Sequence, residues 1–114
     1  MNKWPTAGRA DGRDLARLRR APEKAVDAAC VTYLRMRGYH VSRLQQARAS
    51  KQALGLPDLF AMKPGHGGFF VELKAPGGRL SRLQEAWHLC ARAAGVRVLV
   101  VTSAADLAAA LEAP

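Results

Sequence analysis

The sequence predicts a mixed α/β domain with element order αβββαβα, a small mixed sheet packed between helices. Three observations carry that prediction. Three segments place apolar residues at helical spacing between start and stop signals, and four short segments rich in β-branched or aromatic residues alternate with turn residues. The chain length of 114 residues, 49% of them apolar and 24% charged, suits one folded domain rather than two domains or a disordered tail.

The first helix opens with Pro22 in its first turn and runs to about Arg37, where Gly38 supplies a left-handed stop. Val26, Ala29, Cys30, Tyr33 and Leu34 form its apolar stripe. Tyr39 to Gln45 reads as a strand with Tyr39, Val41, Arg43 and Gln45 on one face, and the polar stretch from Gln46 to Gly55 reads as a loop. Pro57 to Met62 and Gly68 to Lys74 are two strands joined by the turn-rich Lys63-Pro64-Gly65-His66-Gly67. A second helix spans about Ser81 to Ala94, with Leu83, Ala86, Trp87, Cys90 and Ala94 expected inward and Gly95 as its stop. Val96 to Thr102 is apolar on both sides apart from Arg97, which predicts a central strand covered on both faces. Ser103 with Asp106 resembles a capping box opening a last Ala/Leu-rich helix.

Charge supplies the first functional clue. Eighteen Lys and Arg against nine Asp and Glu give a net +9, a balance that attracts polyanions, and nucleic acid is the favoured partner. Residues 1–21 hold six basic and two acidic residues and read as a basic, flexible N-terminal arm. Residues 22–114 form the folded domain, which keeps the remaining twelve basic and seven acidic residues. The longest strongly apolar stretch is far short of the roughly 20 residues that cross a bilayer, so no membrane is expected. Cys30 and Cys90 lie in apolar helical patterns and read as buried thiols of a reducing cytoplasm. His40, His66 and His88 lack Cys or His neighbours at ligand spacing, which argues against zinc and makes them ordinary surface or core histidines.

The chemistry concentrates in Gly55-Leu56-Pro57-Asp58, Glu72-Leu73-Lys74 and Gln84. Residues two apart on a strand share a face, so Glu72 and Lys74 project together roughly 6–7 Å apart, behind Phe70. If the hairpin register sets Phe60 opposite Phe70, Asp58 falls opposite Glu72. Opposed carboxylates repel, and a hard divalent cation between them removes the repulsion. Mg²⁺ takes one or two carboxylates and leaves its other positions to water and substrate phosphate. An adjacent Lys74 orients a water nucleophile or stabilises charge on the reacting phosphate, so the implied reaction is phosphodiester hydrolysis.

Asp58, Glu72 and Lys74 together resemble the signature of the PD-(D/E)xK nucleases. The wider pattern of an early helix glutamate, Gly-x-Pro-Asp, Glu-x-Lys, Gly78-x-Leu80 and Gln84 is similar to the VRR-NUC branch of that superfamily, over roughly Pro22 to Leu111. The order of the motifs and the 13 residues between Asp58 and Glu72 make the resemblance specific. It implies a restriction endonuclease-like fold and a Mg²⁺- or Mn²⁺-dependent DNA endonuclease. Asp58, Glu72, the Leu73 carbonyl and Glu23 are the implied metal-associated groups, with Asp27 competing with Glu23, and Lys74 and Gln84 complete the catalytic set. It also implies a structure-specific enzyme similar to Holliday junction resolvases, homodimeric, acting on branched or duplex DNA in the cytoplasm of a prokaryote or phage-infected host. Arg43 and Arg79, beside the Gly77-Gly78 turn, are candidate phosphate contacts. Simpler readings stand beside these: a capping box for Ser81 and Gln84, a dipole-favoured first-turn acid for Glu23, and a core position for Trp87. The alternative for the whole chain is a non-catalytic nucleic-acid-binding module on the same fold.

Overall fold

The computed structural model describes residues 23–44 and 55–113. The basic arm, Pro22, Gln45 and most of the predicted polar loop lie outside the described residues. Within them the predicted order holds: α1 (Glu23–Met36), β1 (His40–Arg43), β2 (Leu59–Lys63), β3 (Gly67–Leu73), α2 (Arg82–Ala93), β4 (Val98–Val101) and α3 (Ala104–Glu112). The four strands form one mixed sheet in the order β1-β2-β3-β4. The β1–β2 and β2–β3 pairs are antiparallel, and β4 joins β3 in parallel through the α2 crossover. This is the mixed, helix-flanked sheet of a restriction endonuclease-like fold.

Alternation along the strands sorts their side chains to two faces. Leu59 and Ala61 of β2, Phe69, Val71 and Leu73 of β3 and Val101 of β4 close one core with Val26, Cys30, Val31 and Leu34 of α1 and Leu107 of α3. Each fully buried Leu or Val contributes on the order of 1.5–3 kcal/mol. The α1 stripe follows the predicted spacing with two adjustments, because Ala29 is exposed and Val31 takes a core position. Gly38, at φ 92°, ends α1 as expected, and its amide donates to the Arg35 carbonyl at 3.0 Å.

The other face is covered by α2, and here the sequence expectation is corrected. Leu83 is 52% exposed and Cys90 is exposed, whereas His88 and Ala91 are buried, with Gln84 and Trp87 half-buried. The helix is turned so that polar groups face inward, because the strand position beneath them carries Glu72. Trp87 meets Phe70 edge-on at 5.0 Å, and Phe70 packs on Phe60 at 4.9 Å.

The last strand also differs from expectation. Among the described residues β4 is an edge strand rather than a central one, and Val100 is 40% exposed. Its apolar run reflects the burial of Val98 and Val101 on opposite faces, with Leu99 packed against the core beside Val101.

Candidate active site

The hairpin register follows the prediction from Lys63↔Gly67 to Leu59↔Val71, with Phe60 opposite Phe70, and stops there. The Asp58 amide donates to the Val71 carbonyl at 3.1 Å, so Asp58 and Leu59 share one partner residue, as at a bulge. A bulge re-aims the side chain, and the Asp58 carboxylate instead accepts the Leu73 amide on Oδ2 at 2.8 Å. The cross-strand Asp58–Glu72 pair expected from an unbroken register is therefore not formed.

Asp58 lines an open cavity of about 220 Å³ with Leu73 and with Lys24 and Asp27 of α1. Among the described residues its Oδ1 has no hydrogen-bond partner. Asp27 is tied to β1 through Arg43, whose Nη2 and Nε donate to the same Oδ1 at 2.8 and 3.1 Å. The Arg43 guanidinium, a predicted phosphate contact, is thus engaged with Asp27 and remains 39% exposed. Glu23 is the first residue of α1, and its side chain lies outside the description. Arg79 is exposed in the loop between β3 and α2.

Glu72 lies under α2 and is 1% exposed. Its Oε2 accepts from Gln84 Nε2 at 3.1 Å and lies 3.7 Å from Lys74 Nζ, while Oε1 sits 3.3 Å from His88 Nε2. The Lys74 ammonium, 13% exposed, donates to Gln84 Oε1 at 3.0 Å. Burying a carboxylate is costly unless donors surround it, and here both oxygens are met. The structure thus brings Glu72, Lys74 and Gln84 together. Asp58 is joined to this group through the backbone amide of Leu73, the residue that follows Glu72.

Gln84 serves two purposes at once. Ser81 Oγ accepts the Gln84 amide at 3.1 Å, and Gln84 Oε1 accepts the Ser81 amide at 2.8 Å, so the capping box is complete. The same Oε1 holds Lys74 and the amide nitrogen holds Glu72. Gly55, at φ 88°, packs closely on this turn, since a Cβ there would lie 2.5 Å from the Leu83 carbonyl oxygen. The glycine of Gly-x-Pro-Asp is a packing requirement against the first turn of α2.

His88 was not among the predicted site residues. It is 1% exposed, and burial, reinforced by the positive charges of Arg92 and Lys74, pushes its pKa below the ordinary value. Its Nδ1 is buried without a hydrogen-bond partner among the described residues, at a cost of about 1–3 kcal/mol. The signal that finds it is spacing: residues four apart share a helix face, so a Gln84 aimed at Glu72 carries His88 with it.

No group of three His, Cys, Asp or Glu side chains among the described residues is arranged to hold a metal ion. The donor chemistry still fits a hard divalent cation. Asp58 and Glu72 present oxygen only, a carboxylate has about four lone-pair sites, and Mg²⁺ needs no more than one or two such groups from the protein.

No described helix is long and apolar enough to cross a membrane. A comparison with curated proteins finds no match. The model of the VRR-NUC domain matches residues 13–105. With most of its length matched, and with the Glu-x-Lys strand, the Gly-x-Pro-Asp loop and Gln84 assembled around one strand end, the chain belongs to the VRR-NUC family of nuclease-type domains.

Proposed function

We propose that the protein is a Mg²⁺- or Mn²⁺-dependent DNA endonuclease that hydrolyses phosphodiester bonds in branched DNA, in the manner of a Holliday junction resolvase. The observation that carries this reading is the hydrogen-bonded Glu72–Gln84–Lys74 cluster, set one backbone amide from Asp58. Asp58 and Glu72, with the Leu73 carbonyl and a carboxylate of α1, Glu23 or Asp27, would hold the ion. Once bound, the ion polarises the scissile phosphate and lowers the pKa of an attacking water.

The protein's own groups do the rest. Gln84 fixes the Lys74 ammonium at 3.0 Å, which leaves its other N–H donors to orient water or to neutralise charge growing on the phosphoryl oxygens. Water adds to phosphorus, one P–O ester bond breaks, and the products are a phosphomonoester and a hydroxyl. Arg43 and Arg79, with the basic surplus of the chain, hold flanking phosphates. A junction requires two cuts, which favours a homodimer. The open β4 edge, with Val96 and Val100 exposed, offers a surface for it.

The test is incubation of the pure protein with labelled junctions, flaps, nicked and linear duplexes in Mg²⁺, Mn²⁺ or EDTA. Cutting of branched DNA with metal and none in EDTA is expected, and Asp58→Ala, Glu72→Ala or Lys74→Ala each abolish it while the protein stays folded. Binding in EDTA without cutting in either metal identifies a non-catalytic nucleic-acid-binding module instead. Metal-dependent cutting by the purified triple variant refutes the site.

A further inference from the structure

We infer that His88 is a positioning residue of this site: its Nε2–H fixes one oxygen of Glu72 while Gln84 fixes the other, so the carboxylate is oriented before an ion or substrate arrives. The inference rests on the reading of Glu72 as an active-site carboxylate.

Three observations support it. The contact is isolated from water, since the imidazole and the carboxylate are each 1% exposed and no solvent molecule can take the place of the ring. The contact also specifies a tautomer: Nε2 donates to Glu72 Oε1 only when it carries the ring hydrogen, which leaves Nδ1 bare. The unpartnered Nδ1 agrees with that assignment.

Packing is a poor explanation for a histidine at this position. A Phe or Leu would fill space beside Trp87, whose ring lies 5.9 Å away at 72°, without burying an unpartnered ring nitrogen. What the histidine supplies is a directed hydrogen bond, and the local geometry shows its effect. Lys74 Nζ stands 3.7 Å from Glu72 Oε2, well beyond the 2.7–2.9 Å of a closed charge-assisted hydrogen bond. Gln84 occupies both groups, taking the ammonium on Oε1 and donating Nε2 to the carboxylate. His88 holds the far oxygen and prevents the carboxylate from swinging to close on the lysine. Without it, Glu72 and Lys74 collapse into a tight ion pair, and each is withdrawn from phosphate chemistry.

The experiment compares His88→Phe with His88→Gln in the full chain, using the DNA structure the parent cuts best. His88→Phe should remain folded and keep its DNA affinity in EDTA and its KM. Its kcat should fall by about tenfold or more, with the Mg²⁺ midpoint raised by a similar factor, the usual scale for groups that orient a metal-site carboxylate. His88→Gln, whose amide nitrogen reaches the position of Nε2, should recover most of both.

Parental kcat and Mg²⁺ midpoint in His88→Phe, with His88→Gln impaired, would overturn the inference and leave a packing histidine. If neither variant folds, long-range ¹H–¹⁵N spectra of the parent decide. An Nε2–H tautomer that changes in Glu72→Gln supports the clamp, and an Nδ1–H tautomer or no response overturns it. A parent that cuts nothing in Mg²⁺ or Mn²⁺ defeats the nuclease reading itself, and the same spectra then report separately whether His88 holds Glu72.

Discussion

On one side of β3, Phe69, Val71 and Leu73 are sealed under α1 and α3 by apolar side chains. On the other side Phe70 and Glu72 lie under α2, and the groups that meet them are Trp87, Gln84 and His88. The same strand therefore builds a hydrocarbon core with one set of alternate residues and a hydrogen-bonded cluster with the other. A buried carboxylate dictates the composition of the helix above it. Donors must face inward, and the apolar residues that would ordinarily do so, Leu83 and Cys90, are displaced to solvent.

The difference between the faces should be largest in truncation energies. Leu59→Ala, at a fully buried position of the α1 face, should cost about 2–5 kcal/mol, whereas Leu83→Ala on the exposed flank of α2 should fall within about 0.5 kcal/mol. For a domain of this size each kcal/mol moves the melting temperature by roughly 4–8 °C, so thermal unfolding separates them. Equal losses would mean that the flank of α2 is covered in solution.

The same contrast explains what could be read in advance. The α1 stripe, the hairpin and its register, and the glycine stops follow from periodicity and turn chemistry, which dominate where the buried partners are hydrocarbon. The inward face of α2 did not follow, because a hydrophobic stripe points to the core only when the core is apolar. Leu83, Ala86, Trp87, Cys90 and Ala94 make a regular stripe, yet Glu72 needed Gln84 and His88 more. The edge position of β4 was also hidden, since an apolar run does not reveal how many neighbours a strand has. In the candidate site, the nearness of Glu72, Lys74 and Gln84 was legible from strand alternation and motif order. The offset at Asp58 was not, because one shared carbonyl at Val71 re-aims the side chain without any mark in the sequence.

Thiol chemistry provides the next contrast. Cys30 lies in the closed face, where burial, with the charges of Asp27 and Asp106, raises its pKa from 9.0 to about 11. Both causes disfavour the thiolate, the reactive form, and a two-unit rise leaves about a hundredfold less of it at pH 8, before access is considered. Cys90 is exposed on α2. Labelling with a disulfide reagent at pH 8 should therefore consume the exposed Cys90 promptly and the buried Cys30 far more slowly, with both reacting together in denaturant. Equal rates in the native protein would show that the α1 face opens on the labelling timescale.

The smallest effect is expected where α1 meets β1 at the surface. Arg43 donates twice to one oxygen of Asp27, but the two side chains are 39% and 27% exposed, and a pair so open to solvent contributes less than about 1 kcal/mol. Arg43→Ala should barely move the unfolding midpoint. Its consequence for DNA should be visible, because the guanidinium has five N–H donors and only two of its nitrogens are bonded to Asp27. If it also holds a phosphate, Arg43→Ala weakens binding in EDTA and lowers the slope of log affinity against log salt by about 1. An unchanged slope would restrict Arg43 to tying Asp27 beside Asp58. Asp27→Asn resolves the two roles further: it removes the neutralising charge while leaving the arginine in place, so a phosphate-binding Arg43 should then hold DNA more tightly, whereas a purely structural one should not.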